Sequence, residues 1–409
     1  MKYFLTLFSI IFFYAVGAQQ PISKQRASLW QAVIVRADGN QIPFSFELEM
    51  ENNFPVMHII NGSERIRVDS VHFESDSVFI KMPLYESSIK AAVSKGKLIG
   101  TWTKGTTTRD QVLPFSAEIN KPRFLASSGK ANYVASGKWA VKFEADSMPV
   151  SVAEFQQQGS NITGTFMTPT GDYRYLEGIV DGDQIMLSGF DGVHAVLFTG
   201  KFNKSNSIEN GRFISGAKHN ESWTAIKNPK AIVKIDETAM FIRSGQDRLN
   251  FRFPDLDSNF ISITDNRFLN KVVVIQLMGS WCPNCMDETA FLSEYYRKNK
   301  DRGVEIIALA YEYSSDFYRS KKSVGKFQNR FNVQYPILIT GIPVSDTMRT
   351  EKTLPQLTRI KVFPTSIILD KKGSIRKIDT GFVGPGTGEH YEVYKKEFGE
   401  MMDGLLKEE

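Results

Sequence analysis

Cysteine is almost missing: 409 residues hold two, Cys282 and Cys285. Exported domains often staple themselves with disulfides. A bond between two cysteines this close closes no long loop, so its value to stability is small. Structural zinc needs four ligands, and no second Cys or Cys/His pair exists. His58, His72, His194, His219 and His390 are the only histidines, none near the pair in sequence. A copper carrier would want a third ligand, with His390 the one remaining candidate. An excess of one charge is also absent. A formal net charge of +5, with no like-charge block beyond short pairs such as Lys321-Lys322, argues against a nucleic-acid partner. After the N-terminus no apolar run is long enough to span a bilayer. What these absences leave for the cysteine pair is chemistry, with no metal and no cofactor expected.

The N-terminus itself is a leader. Met1-Lys2 is followed by the apolar Phe4 to Val16, and then by Gly17-Ala18 before polar Gln19-Gln20-Pro21. This is the pattern of a signal peptide over residues 1–18, cleaved after Ala18. The expected location is therefore the periplasm. An uncleaved leader tethering the protein to the membrane is the alternative.

Two textures follow. Residues 24–235 read as antiparallel all-β structure, in short alternating runs such as "QAVIVRADGN", "DSVFIKMPL", "KLIGTWTKG" and "GDQIMLSGF". Period-2 alternation broken by Gly, Asn, Asp and Ser every eight to twelve residues is the reason. Asp38-Gly39-Asn40 and Asp181-Gly182-Asp183 predict hairpin turns. Trp30 followed by Pro43, and Trp139 followed by Pro149, suggest two meander repeats over 28–120 and 137–228, joined by "LASSGKANYVASG". Beyond Lys230 the pattern becomes strand, helix, strand, helix, then a hairpin and a last helix. "KVVVIQLMG" is a buried strand of the parallel kind. Helices are expected over Pro283 to about Lys300, about Ser315 to Phe331 and about Glu389 to Leu406. The class is α/β with a mixed sheet.

Cys-Pro-Asn-Cys directly after a buried strand and at the start of a helix is a specific arrangement. The first cysteine then lies at the exposed tip of the helix, where unpaired N–H groups and the macrodipole favour a thiolate. Cys285 sits about one turn further in, shielded, and placed to attack a mixed disulfide at Cys282. Pro283 suits the first helical position, where its missing N–H costs nothing.

"KVVVIQLMGSWCPNC" together with "FPTSIILDKKGSIRKIDTGF" resembles the thioredoxin-like thiol-disulfide oxidoreductases of the TlpA/ResA type. The resemblance covers about 248–409, with "FRFPDLDSNFISITD" as the leading hairpin. It implies a multidomain chain whose C-terminal part has the thioredoxin fold. It implies Cys282 as attacking thiolate, Cys285 as resolving thiol, and a redox-active Cys282-Cys285 disulfide. Trp281 would wall the disulfide, with Pro283 and Asn284 between the sulfurs. Pro364 matches the family's cis-proline, a bond that proline alone adopts readily, and Phe363 before it would offer its backbone to an extended peptide. Two positions depart from the pattern. Gln276 stands where many thioredoxins bury an acid, and Phe363 is bulkier than its counterparts. Glu288, three residues beyond Cys285, shares its helix face and would accept the Cys285 proton.

The expected function is reduction of disulfides in exported proteins, with electrons from a membrane or periplasmic thiol donor. Asn284 supplies no positive charge between the sulfurs, and Asp287 and Glu288 oppose a thiolate, which favours reduction over strong oxidation. Two other classes compete. One is a client- or ligand-binding protein with an auxiliary redox domain. The other is a peroxiredoxin-type peroxidase, which wants a Thr upstream of the cysteine that Gly279-Ser280-Trp281 lacks.

Overall fold

The computed structural model describes residues 28–148, 150–234 and 240–408. The leader expected at 1–18 lies outside these residues, as does Pro149. The β half holds two antiparallel sheets. In the first, strands Ser28–Val35 to Gln111–Ile119 form nine rungs, and Ser28–Val35 pairs with both Gln41–Glu51 and Gln111–Ile119. The second runs from Gly137–Phe143 to His219–Lys227. It closes on itself, because Ser151–Gln158 pairs with Gly137–Phe143 on one side and Asn161–Thr168 on the other. Closure removes the unpaired edges that an open sheet would present.

Alternation explains which side chains go inside. Trp30, Phe44, Phe46, Trp102 and Phe115 fill the first unit, and Phe190, Leu197 and Ile214 from the second unit join that core. Trp139, Phe155, Phe166, Phe198 and Trp223 fill the second. Gly39 takes φ +82° in the first turn, where Asn40 N–H donates to Asp38 Oδ1 at 3.1 Å. The connecting segment is pinned too: Asp181 accepts from the backbone N–H groups of Ser127, Ser128 and Gly129.

Residues 252–407 form an α/β unit. A short hairpin, Arg252–Pro254 with Phe260–Ser262, leads in. Strands Ile337–Ile339, Val304–Ala310 and Val272–Met278 run parallel, and Thr365–Leu369 and Ile375–Thr380 extend the sheet antiparallel. Helix α1 (Pro283–Asn299), helix α2 (Phe317–Phe331) and the C-terminal helix Glu389–Lys407 complete it. The central strand Val272–Met278 is buried at every residue. Val272, Val274 and Met278 face the helices, while Val273, Ile275 and Leu277 face a second apolar layer containing Leu249, Phe251 and Leu357. A strand apolar on both faces has only this central place to go, and its C-terminal end delivers the cysteines.

Candidate active site

Cys282 caps α1. Its backbone is extended and its sulfur accepts from Cys285 N–H at 3.2 Å, with Pro283 in the first turn. Its thiol also donates to the Phe363 carbonyl at 3.5 Å, and the Phe363–Pro364 peptide is cis. Both cysteines are thiols here. Cys285 is fully buried, and burial, reinforced by Cys282, pushes its thiol well above the ordinary value. The sequence led us to expect Cys282 at an exposed tip. The structure differs: Cys282 is only 3% exposed.

The turn before Cys282 is held by residues from the end of the neighbouring strand, Tyr311, Glu312 and Tyr313, which no sequence pattern marks. Ser280 donates from its N–H and its hydroxyl to the buried carboxylate of Glu312, at 2.8 and 2.5 Å. Burial raises Glu312 to about 7. Trp281 folds back over Gly279, where a Cβ would meet the indole at 2.2 Å, so only glycine fits. Its indole N–H donates to the Tyr311 carbonyl at 2.8 Å. The ring stacks on Tyr313 and meets Phe363 edge-on, each at 5.7 Å between centroids. Trp281, Tyr313 and Phe363 thus make one aromatic wall beside the sulfur, with Phe363 part of it.

Glu288 is 1% exposed. Its carboxylate accepts from Gln276 Nε2 at 2.8 Å and from the Ser366 hydroxyl at 3.0 Å. Burial outweighs these bonds and lifts Glu288 to about 8, so near neutral pH it is mostly protonated. Gln276, the buried polar residue of the central strand, is hydrogen-bonded to Glu288 and, through the same amide, to the Thr289 hydroxyl at 3.1 Å. The pair was invisible as a pair in the sequence because the residues lie on different elements.

The β half reaches the same place. Leu84, Tyr85 and Val193 are buried in one apolar cluster with Met278, Cys282, Cys285 and Met286. Asn284 Nδ2 donates to the Asp172 carbonyl at 3.1 Å, and Arg174 donates to the Pro283 carbonyl at 3.4 Å. Arg174 also forms ion pairs with Glu64 and Asp287. Burial raises Asp287 to about 7 although Arg174 opposes it. The two acids following Cys285 therefore weigh less against a thiolate than the sequence implied: one is paired and the other is held mostly neutral.

A dithiol at a helix start, against a cis-proline and a half-aromatic wall, defines the fold and site of a thioredoxin-like protein. The Redoxin family matches residues 243–394. Thiol-disulfide oxidoreductase ResA of Bacillus thuringiensis subsp. konkukian (strain 97-27) is 30% identical over 152 residues, 37% of this chain and 76% of the relative. ResA of Geobacillus thermodenitrificans (strain NG80-2) is 30% identical over 146 residues, 36% and 73% of the two chains. Among solved structures, a thioredoxin-family thiol:disulfide interchange protein from Chlorobium tepidum TLS aligns with TM-score 0.30 and 15% identity, over 39% of this chain and 96% of that one. The chain belongs to the TlpA/ResA-type thioredoxin-like family and is a thiol-disulfide oxidoreductase. The family match begins at residue 243, so the two β units lie outside it.

Proposed function

We propose that the protein is exported and reduces disulfides of other exported proteins by dithiol exchange through Cys282 and Cys285. The observation that carries this reading is the Cys282 sulfur at the N-cap of α1, between the Cys285 N–H and the Phe363 carbonyl. The Cys282 thiolate attacks one sulfur of the client disulfide. A mixed disulfide forms and the other client sulfur leaves as a thiolate. Cys285 then gives up its proton and attacks the Cys282 sulfur. The second client sulfur leaves, and the two electrons gained by the client leave a Cys282–Cys285 disulfide, which a thiol donor reduces by the reverse exchange.

Glu288 is the proposed acceptor of the Cys285 proton through its ionised form, a minority near neutral pH that grows toward pH 8, so resolution speeds up as pH rises over that range. Trp281, Tyr313 and Phe363 wall the site, and Pro364 keeps an N–H away from the sulfur. Reduction is the proposed direction because no cationic side chain lies between the cysteines and the Arg174 charge is taken by Glu64 and Asp287. Export rests on the leader at residues 1–18, and the domain division proposed is 24–235 and 248–409. The test is insulin-disulfide reduction by the full chain with dithiothreitol. Wild type accelerates it, and Cys282→Ser brings the rate to background; turnover by Cys282→Ser at the wild-type rate overturns the assignment.

A further inference from the structure

The surface that a disulfide-bearing polypeptide must reach is already occupied. Both residues between the cysteines are held by the β half, Pro283 through its carbonyl and Asn284 through its side-chain amide. Gly171 approaches so closely that a Cβ there would meet Asn284 Oδ1 at 2.5 Å. The loop after the last strand is held as well, with Gly384 N–H donating to Asp172 Oδ2 at 2.7 Å. On the other side, Tyr85 and Val193 are buried in the cluster that contains Cys282. Tyr85 is fixed there by its hydroxyl on Asp191 at 3.2 Å and by Lys326 on its carbonyl at 3.0 Å.

We propose that the β half is a specificity gate on Cys282: docked, it excludes polypeptide disulfides, and clients gain the sulfur only when the halves part. This rests on Cys282 being the attacking thiol. Two polar latches hold the docked state. At the first, Arg174 is shared between Glu64 of the β half and Asp287 of α1. At the second, Glu86 accepts from Arg319 at 2.6 Å and from Ser323 at 2.9 Å on α2. The composition of the contact favours reversible docking. Beside a small apolar patch of Leu84, Tyr85 and Val193, these latches are charged groups that water can solvate once separated, as in interfaces between domains that move. Removing one member of a buried pair leaves its partner uncompensated and weakens the docked state most.

The test uses the reduced full-length chain and a polymer-linked maleimide, too bulky to enter the closed site. Labelling of Cys282 and Cys285 is followed separately by mass spectrometry, against the same chain unfolded in urea. Wild-type Cys282 is expected to be protected. Arg174→Ala raises Cys282 labelling about tenfold or more, with Arg174→Lys intermediate. Glu86→Ala, at a half-exposed pair, independently raises it about two- to threefold. Cys285 stays protected in every variant, which separates parting of the halves from unfolding.

Unprotected Cys282 in wild type, unchanged labelling in either alanine variant, or equal loss of protection at Cys285 would each overturn the gate. Glu86 lines a small cavity with Ser280, Trp281 and Glu312, so a small maleimide is run beside the polymer-linked one. A rise confined to the bulky reagent reads access, and an equal rise with both reads thiolate reactivity and overturns the gate. Labelling needs no turnover. A chain that reduces insulin yet leaves Cys282 open loses the gate and keeps the proposed function.

Discussion

Glu288 shows how one buried carboxyl couples stability to chemistry. Its folded-state value of about 8 lies above the ordinary 4.5, so the folded chain holds a proton that the unfolded chain has lost. The sign is the reverse of a salt-bridged acid: the Glu288 contribution to stability is fully present below about pH 4.5 and is lost as pH rises toward 8. Glu288→Gln removes that dependence. Relative to wild type, the variant is expected to gain on the order of 3 kcal/mol at about pH 8 and almost nothing at about pH 4. Urea unfolding at the two pH values checks this, and an equal gain at both would return Glu288 to an ordinary ionised acid. The same variant lacks the carboxylate proposed to take the Cys285 proton. Resolution of the mixed disulfide is expected to slow by about 10²-fold, measured by stopped flow after Cys282 has reacted.

Among the elements, the turn from the central strand into α1 carries the tightest requirement. Gly279 sits under the Trp281 indole, and Glu312 clamps the next residue from the end of the neighbouring strand. Gly279→Ala has to displace the ring or the turn. It is expected to cost about 1–3 kcal/mol by overpacking and to slow exchange, since the displaced indole belongs to the wall beside Cys282. An unchanged urea midpoint together with an unchanged exchange rate would show the turn to be more tolerant than its geometry. Elements of this kind were legible in the sequence wherever one pattern dominated. "KVVVIQLMG" could only be a doubly buried strand, and α1 begins at Pro283 because the proline and the cysteine before it both suit a helix start. Ser280, Glu312 and Tyr313 were not legible. Their meeting depends on parallel strand neighbours about thirty residues apart, and nothing local in "ALAYEY" marks an acid as a clamp.

For the whole molecule, the sequence separated an all-β region from an α/β region but said nothing of how they meet. Arg174 and Asp287 are distant in the chain, and no sequence pattern pairs them. Only the fold places them together over α1. The docked β half also explains why Cys282 is buried when its position at the helix start led us to expect exposure. Its chemistry then depends on the chain moving as two bodies, one carrying the dithiol and the other deciding what reaches it. The central claim remains the order of events at the two sulfurs. Its most direct measurement is trapping with Cys285→Ser, full length and reduced, mixed with a disulfide-bearing protein and resolved without reductant. A covalent adduct mapped to Cys282, absent from Cys282→Ser, is the predicted result. Failure of Cys285→Ser to accumulate any adduct, or an adduct of the Cys282→Ser chain through Cys285, would contradict it.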